Sequence, residues 1–279
     1  TAPRYPSSSR PMAVEREAPH RAIALAELID TPILIVHVSG REAVEQIHWG
    51  RGRGLPIHAE TCPQYLFLSA EDLGIDPDDP MHGARCICSP PPRDKANQQF
   101  IWNGLSSGLF TIFSSDHAPF NMQGSDGKRV AGDDASFDRI PNGIPGVETR
   151  LPLLMSEGVM AGRIDIHRFV ELTATNPARL YGLYPKKGTI AVGGDADFVV
   201  WDVFGEGQEK VIANDMLHHA ADYTPYEGMK LRAWPGVTVS RGRVVWQDGV
   251  FSAAAGSGQF QPCLRPRARN ASNPLDKWL

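Results

Sequence analysis

Long apolar runs are missing from this 279-residue sequence. No stretch reaches the roughly 18 consecutive apolar residues that a membrane-spanning helix needs, and the first residues do not read as a signal peptide. No membrane association is therefore expected, and residence in the cytoplasm is the default. Cysteine is scarce: Cys62, Cys86, Cys88 and Cys263 make up the whole set of four. They form no disulfide framework for a chain of this size and no paired C-x-x-C pattern for zinc. Charge of one sign is also lacking, since the formal net charge is -4 and the one basic cluster, RPRARN at 265–270, lies in a polar tail. Nucleic acid and anionic membrane surfaces select clustered Lys and Arg, so neither is an expected partner. A phosphate-binding glycine loop and a dinucleotide fingerprint are absent, and the G-x-S-x-G spacing of GLSSG (104–108) closes a helical stretch and makes no strand-to-helix elbow, which argues against a serine hydrolase, a P-loop enzyme or a Rossmann oxidoreductase.

What is present is an ordinary globular composition, 42% hydrophobic and 22% charged. That suffices for a sizeable core in one large domain or two smaller ones. The chain opens on TAPRYPSSSRP, which reads as a loop inside a protein, so a fragment is the expectation. Ser9 and Pro11 make a helix start, and Val14, Ala18, Ala22, Leu25 and Ile29 recur at helical spacing. Pro19 interrupts this pattern and predicts a kink or a late start. ILIVHVSG (33–40) is apolar and β-branched enough for a strand covered on both faces. A helical REAVEQIHWGRGRG, a strand LPIHAET, a helical DKANQQFIWNGLSSG and a strand LFTIFSSD follow. Cys86 and Cys88 alternate along what reads as a further strand, as small buried thiols.

Covered strands separated by helices imply parallel β-α units, whose chemistry sits at the carboxyl ends of the strands. Three such ends stand out: His37 with Ser39, Glu60 with Thr61, and Asp116 with His117. A buried carboxylate at Asp116 needs a cation, a donor network or a raised pKa. Imidazole and carboxylate are both good ligands for a divalent metal. The residues by themselves leave two readings open, a shared metal and a structural polar network. His58 reads as packed and His218 and His219 as solvated in a polar loop. From Gly188 the texture changes, and GTIAVGGDADFVVWD and GVTVSRGRVVWQDGVF read as an antiparallel, half-exposed sheet.

Several longer motifs resemble a known family. SRPMAVEREA, ILIVHVSG, IHAETCPQYL, CSPPPRDK, SSDHAPF, IPNGIPGVETRLPLL, TATNPARLYGLYPKKGTIAVGGDADFVVWD and VTVSRGRVVWQDGVF together look like the second half of a dihydropyrimidinase or hydantoinase, a cyclic amidohydrolase. The resemblance implies an α/β fold: residues 1–187 as the C-terminal part of a (β/α)8 barrel, 188–255 as part of a small β-sandwich with an intervening loop, and 256–279 as a polar tail. It implies two divalent metal ions, zinc being the usual choice, with His37 and Asp116 among their ligands and Asp116 also the general base. Ser89 and Asn142 match positions that hold the substrate's imide-like edge, while His117, from its place directly after Asp116, reads as a group orienting that ligand in preference to a packed imidazole. A small cyclic amide substrate and a homotetramer are further implications. Such enzymes also use an upstream His-x-His pair, a carboxylated lysine and another histidine. No His-x-His occurs in this sequence, so the expectation is a chain that carries two of six protein ligands and is inactive alone. A non-catalytic scaffold resembling the collapsin-response mediator proteins, and the related allantoinases and dihydroorotases, are the alternatives.

Overall fold

The computed structural model describes residues 9–74 and 76–264. The described chain forms two compact units. One takes the chain up to Leu153 together with Val211–Met229; the other takes Leu154–Lys210 and the chain from Lys230 onward. The basic cluster and most of the polar tail lie outside the described residues.

In the first unit, helix α1 spans Met12–Leu28 and passes through Pro19 without ending there. A proline inside a helix costs about 3 kcal/mol through its missing N–H and its clash with the preceding turn. The expected late start does not occur because α1 is tied down on both sides of Pro19. Before it, the Glu15 carboxylate bonds Ser39 and Arg93; after it, Ile23 and Ala26 are buried. Helix α2, Arg41–Gly52, buries Ala43, Val44, Ile47 and Gly50, a stripe at helical spacing. A Cβ on Gly50 would stand 3.1 Å from Ile23 and 3.3 Å from Ile57, so this glycine lets α1 and the sheet close on the same face of α2.

Strands β1 (Ile33–Ile35), β2 (Ile57–Thr61) and β3 (Ile112–Phe113) form a parallel sheet in that order. Ile33, Leu34 and Ile35 pair with Ile57, His58 and Ala59, while Glu60 and Thr61 pair with Ile112 and Phe113. β2 alternates buried and half-buried positions. β1 is half-buried throughout, where the sequence predicts cover on both faces, because it is the edge strand and has one neighbour among the described residues. Cys86 and Cys88 also depart from expectation. His82–Cys86 is a 3-10 turn and not a strand, yet both thiols are buried as predicted.

In the second unit, Phe198–Val203, Ala233–Ser240, Arg243–Gln247 and Val250–Phe251 form an antiparallel sheet in that order. The Phe169 and Trp201 rings meet edge to face at 5.8 Å and anchor the helical segment Ile166–Val170 on this sheet. Lys187 bridges Asp195 at 2.8 Å and also Asp197. No helix among the described residues is long and apolar enough to cross a membrane.

Candidate functional site

The carboxyl ends of the three parallel strands stay in step beyond the regular ladder. The Val38 N–H donates to the Glu60 carbonyl at 2.9 Å, and the Ser114 N–H donates to the Thr61 carbonyl at 3.0 Å. His37 and Asp116 follow β1 and β3, and both adopt left-handed backbone, with φ of 42° and 47°. For residues with a Cβ this conformation costs about 1–2 kcal/mol, and such outliers concentrate where a side chain must be aimed. Asp116 is exposed, which corrects the inference that it is a buried carboxylate in need of a cation. The half-buried carboxylate at this edge is Glu60, whose Oε1 accepts a hydrogen bond from Ser114 Oγ at 2.7 Å.

β2 lies between β1 and β3, so the backbones carrying His37 and Asp116 are separated by about 10 Å, two strand spacings. Their imidazole and carboxylate suit a divalent cation in kind. They do not suffice in number, because among the described residues no group of three or more His, Cys, Asp and Glu side chains gathers to hold a metal.

Ser89 and Asn142, by contrast, are in direct contact. Asn142 Nδ2 donates to Ser89 Oγ at 2.8 Å, and the Arg10 guanidinium donates to the same oxygen. Behind them the Gly143 N–H donates to the Ile87 carbonyl at 3.0 Å. Gly143 has φ 144°, and a Cβ there would stand 2.4 Å from that of Ala118, so no other residue fits this crossing. His117 bridges to Ile144 in parallel fashion. Its Nδ1 accepts from the Gly146 and Val147 amides at 3.0 and 3.3 Å, which fixes Nδ1 as the unprotonated nitrogen. Burial lowers the His117 pKa below the ordinary histidine value. This nitrogen is thereby committed to the 146–147 turn and is not available to Asp116.

Val211–Met229 returns to this unit as a strap. His218 Nδ1 lies 2.9 Å from Glu148 Oε1, and His219 sets its ring edge to face against His117 at 6.4 Å. The expectation of two solvated histidines thus fails for His219, whose pKa is lowered by burial, opposed by Glu148 and reinforced by His117. The strap is pinned further by Asp222, which accepts from the Met122 and Gln123 amides at 2.6 and 3.0 Å.

Three charged residues that sequence reasoning passed over are built into the frame. Arg93 and Glu15 form a buried ion pair at 2.9 Å, their side chains 5% and 10% exposed. Glu15 also accepts from the Ser39 N–H and Oγ at 2.7 and 2.6 Å, and Arg93 Nε donates to Ser39 Oγ at 2.9 Å. This network holds the turn that carries His37. Both residues stand in the quoted motifs SRPMAVEREA and CSPPPRDK, where a charged position beside prolines and small residues was the available signal.

The third is Lys128, which is fully buried and for which the sequence offers no signal. Burial pulls its pKa down from 10.5 to about 8, against an upward pull from Cys88 and Cys86. Between those values the unfolded chain holds a proton that the folded chain does not, so stability rises with pH across this window. The rise attributable to Lys128 is on the order of 3 kcal/mol over the full window. Burial pushes Cys86 up to about 12 and also raises Cys62 and Cys88; these acids work in the opposite direction above pH 9. The comparison with a variant isolates the lysine: between pH 7 and 9, urea unfolding should show Lys128→Met losing part of the stability gain of the wild type. Parallel pH profiles for the two proteins would refute it.

The amidohydrolase family model matches residues 82–245, more than half of the chain. The chain belongs to the amidohydrolase family. This amidohydrolase is 44% identical over 261 residues to a D-hydantoinase of Rhizobium radiobacter, covering 94% of this chain and 55% of that protein. It is 42% identical over 261 residues to a D-phenylhydantoinase of Escherichia coli O1:K1 / APEC, covering 93% and 54%. Among solved structures, the D-hydantoinase from a Bacillus sp. AR9 is 41% identical with a TM-score of 0.87, over 93% of this chain and 54% of that one. The dihydropyrimidinase from Brevibacillus agri NCHU1002 is 41% identical with a TM-score of 0.84, over 90% and 52%. The chain spans about half the length of the curated relatives it matches. Amidohydrolases are generally metal-dependent, which gives the donors at the strand ends a context.

Proposed function

We propose that the protein carrying this chain hydrolyses a cyclic amide, a dihydropyrimidine or a 5-substituted hydantoin, to an N-carbamoyl amino acid. The observation that carries this reading is the 44% identity to a D-hydantoinase over 94% of the chain. In this reading residues 1–187 are part of a (β/α)8 barrel, 188–255 part of a small β-sandwich and 256–279 a tail. The half-buried edge of β1 is where further barrel strands would pair, since an open edge in a parallel sheet otherwise invites association. The assembly is a cytoplasmic homotetramer.

Ser89 and Asn142 hold the imide-like edge of the substrate through their backbone groups, and their mutual hydrogen bond keeps the two segments at a fixed spacing. Asp116, exposed on the rim, is the general base. It takes a proton from the attacking water and returns it to the ring nitrogen as the carbon–nitrogen bond breaks. His37 and Asp116 would contribute to the binding of two divalent ions, zinc by resemblance, with the remaining donors supplied from outside the described residues. Bound there, the ions would supply Lewis acidity and a more acidic water. His117 supports Asp116 through the backbone they share.

The reading is tested by incubating the purified, zinc-supplemented whole protein that carries this chain with dihydrouracil and with 5-phenylhydantoin and following ring opening. Turnover of either compound above the uncatalysed rate is the expected result. A folded, metal-loaded protein that opens neither ring would favour the scaffold alternative.

A further inference from the structure

Lys128 is the buried group that the proposed chemistry leaves unused. Its side chain is fully buried, and its ammonium donates to two main-chain carbonyls, Pro141 at 2.8 Å and Ile87 at 3.3 Å. Among the described residues no carboxylate pairs with it. Burying an unpaired ammonium is costly, and its pKa is drawn down to about 8. A simple cross-link between the two segments does not need a charge, because the Gly143 N–H already bonds the Ile87 carbonyl at 3.0 Å. Perturbed ionisable groups held at such cost concentrate at functional sites.

The position of the ammonium is informative. Ile87 precedes Ser89 by two residues, and Pro141 adjoins Asn142. Lys128 therefore reaches from behind to the two segments whose tips meet in the Ser89–Asn142 hydrogen bond of 2.8 Å. Its own backbone is fixed. The Lys128 N–H donates to the Asn121 carbonyl at 2.8 Å, and the Arg129 N–H donates to the Met122 carbonyl at 3.0 Å. Arg129 is tied in turn to Asp133 at 2.6 Å and to Asp79, and Asp222 holds Met122 and Gln123 from the strap. The lysine is thus a rigid post and not a flexible surface arm.

We propose that Lys128 is a positioning residue that clamps the Ser89 and Asn142 segments at the spacing that receives the substrate's imide-like edge. The assignment of that edge to Ser89 and Asn142 rests on the cyclic-amide reading above. The clamp itself rests on the hydrogen bonds and the burial. It acts on ground-state binding, so its loss raises KM more than it lowers kcat.

The test compares the intact wild-type protein with Lys128→Met and with Lys128→Gln, the second keeping a donor in case the first does not fold. Amide hydrogen exchange is followed by mass spectrometry or NMR, together with steady-state kinetics on 5-phenylhydantoin and dihydrouracil. The expected result is exchange at Gly143 faster by about tenfold or more in Lys128→Met, intermediate in Lys128→Gln, with the β2 amides of Ile57–Thr61 unchanged. KM should rise about tenfold while kcat moves less than threefold. Unchanged exchange at Gly143 overturns the clamp, and so does acceleration spread evenly over β2, which marks a merely structural lysine. Local loosening with KM unchanged overturns the positioning role. A wild type that shows the Gly143 effect on substitution but opens no cyclic amide overturns the functional reading and leaves the clamp standing.

Discussion

Asp116→Asn should lower kcat/KM for ring opening by about a thousandfold while leaving the fold intact. General acid–base groups contribute about 10² to 10⁴ in rate, and here one carboxylate is assigned both halves of the proton transfer. Asparagine keeps the shape of the side chain and tolerates left-handed backbone better than most residues, which matters at a φ of 47°. The side chain is exposed, so no packing is lost with the charge. The urea midpoint of the variant should therefore match or slightly exceed that of the wild type. Loss of activity together with loss of structure would not meet this expectation, and activity within tenfold of the wild type would remove Asp116 from the mechanism. The combination sought, an inactive and undiminished fold, is the signature of a residue kept for chemistry at some expense in backbone strain.

The second large effect is expected at the ion pair of Glu15 and Arg93. Removing one member of a buried pair strands the other charge, at a typical cost of about 3–5 kcal/mol. Glu15→Ala should lie at the upper end of that range. It strands Arg93 and also removes the acceptor of the Ser39 N–H and Oγ. Arg93→Met should cost somewhat less, since Glu15 retains the two Ser39 donors. Replacing both residues with apolar side chains should cost less than the sum of the single changes, because no lone charge then remains. Equilibrium urea unfolding of the four proteins measures this directly. A Glu15→Ala penalty below about 1 kcal/mol, or strict additivity, would show that solvent enters the site and that the pair is weak. The change should also weaken metal retention, because Ser39 lies two residues beyond His37 and its main chain is fixed by Glu15.

Parts of the fold were legible in advance for reasons that can be named. The β-branched runs of ILIVHVSG and LPIHAET announced β1 and β2, and the apolar stripe of α2 followed its helical spacing. The longer motifs led to the hydantoinase resemblance, which the family match and the relatives now support. Pro19 misled because a local rule about prolines carries no information on the Glu15 anchor, which depends on Ser39 and Arg93 far along the chain. Asp116 misled differently. Its position after an apolar strand suggested burial, whereas exposure is set by which segments cover the strand end, and Asp116 is exposed. His219 read as a solvated loop residue because its partner His117 is distant in sequence.

The candidate site divides along the same line. The sequence by itself determined which chemistry is available: an imidazole and a carboxylate at the ends of parallel strands, and the serine and asparagine of two motif loops. Residue type and local periodicity carry the first pair, since strand ends are set by neighbouring positions in the chain; the serine and asparagine come only from the resemblance of their motifs to the hydantoinases. Only the tertiary structure decided how these groups are held. It joined Ser89 to Asn142 and placed Lys128 behind both. It also committed His117 Nδ1 to the backbone at Gly146 and Val147. Each of these contacts links segments some 13 to 53 residues apart, and nothing in the local sequence of either partner specifies the other. Such pairings are fixed by the shared burial of the segments, which only the folded chain defines.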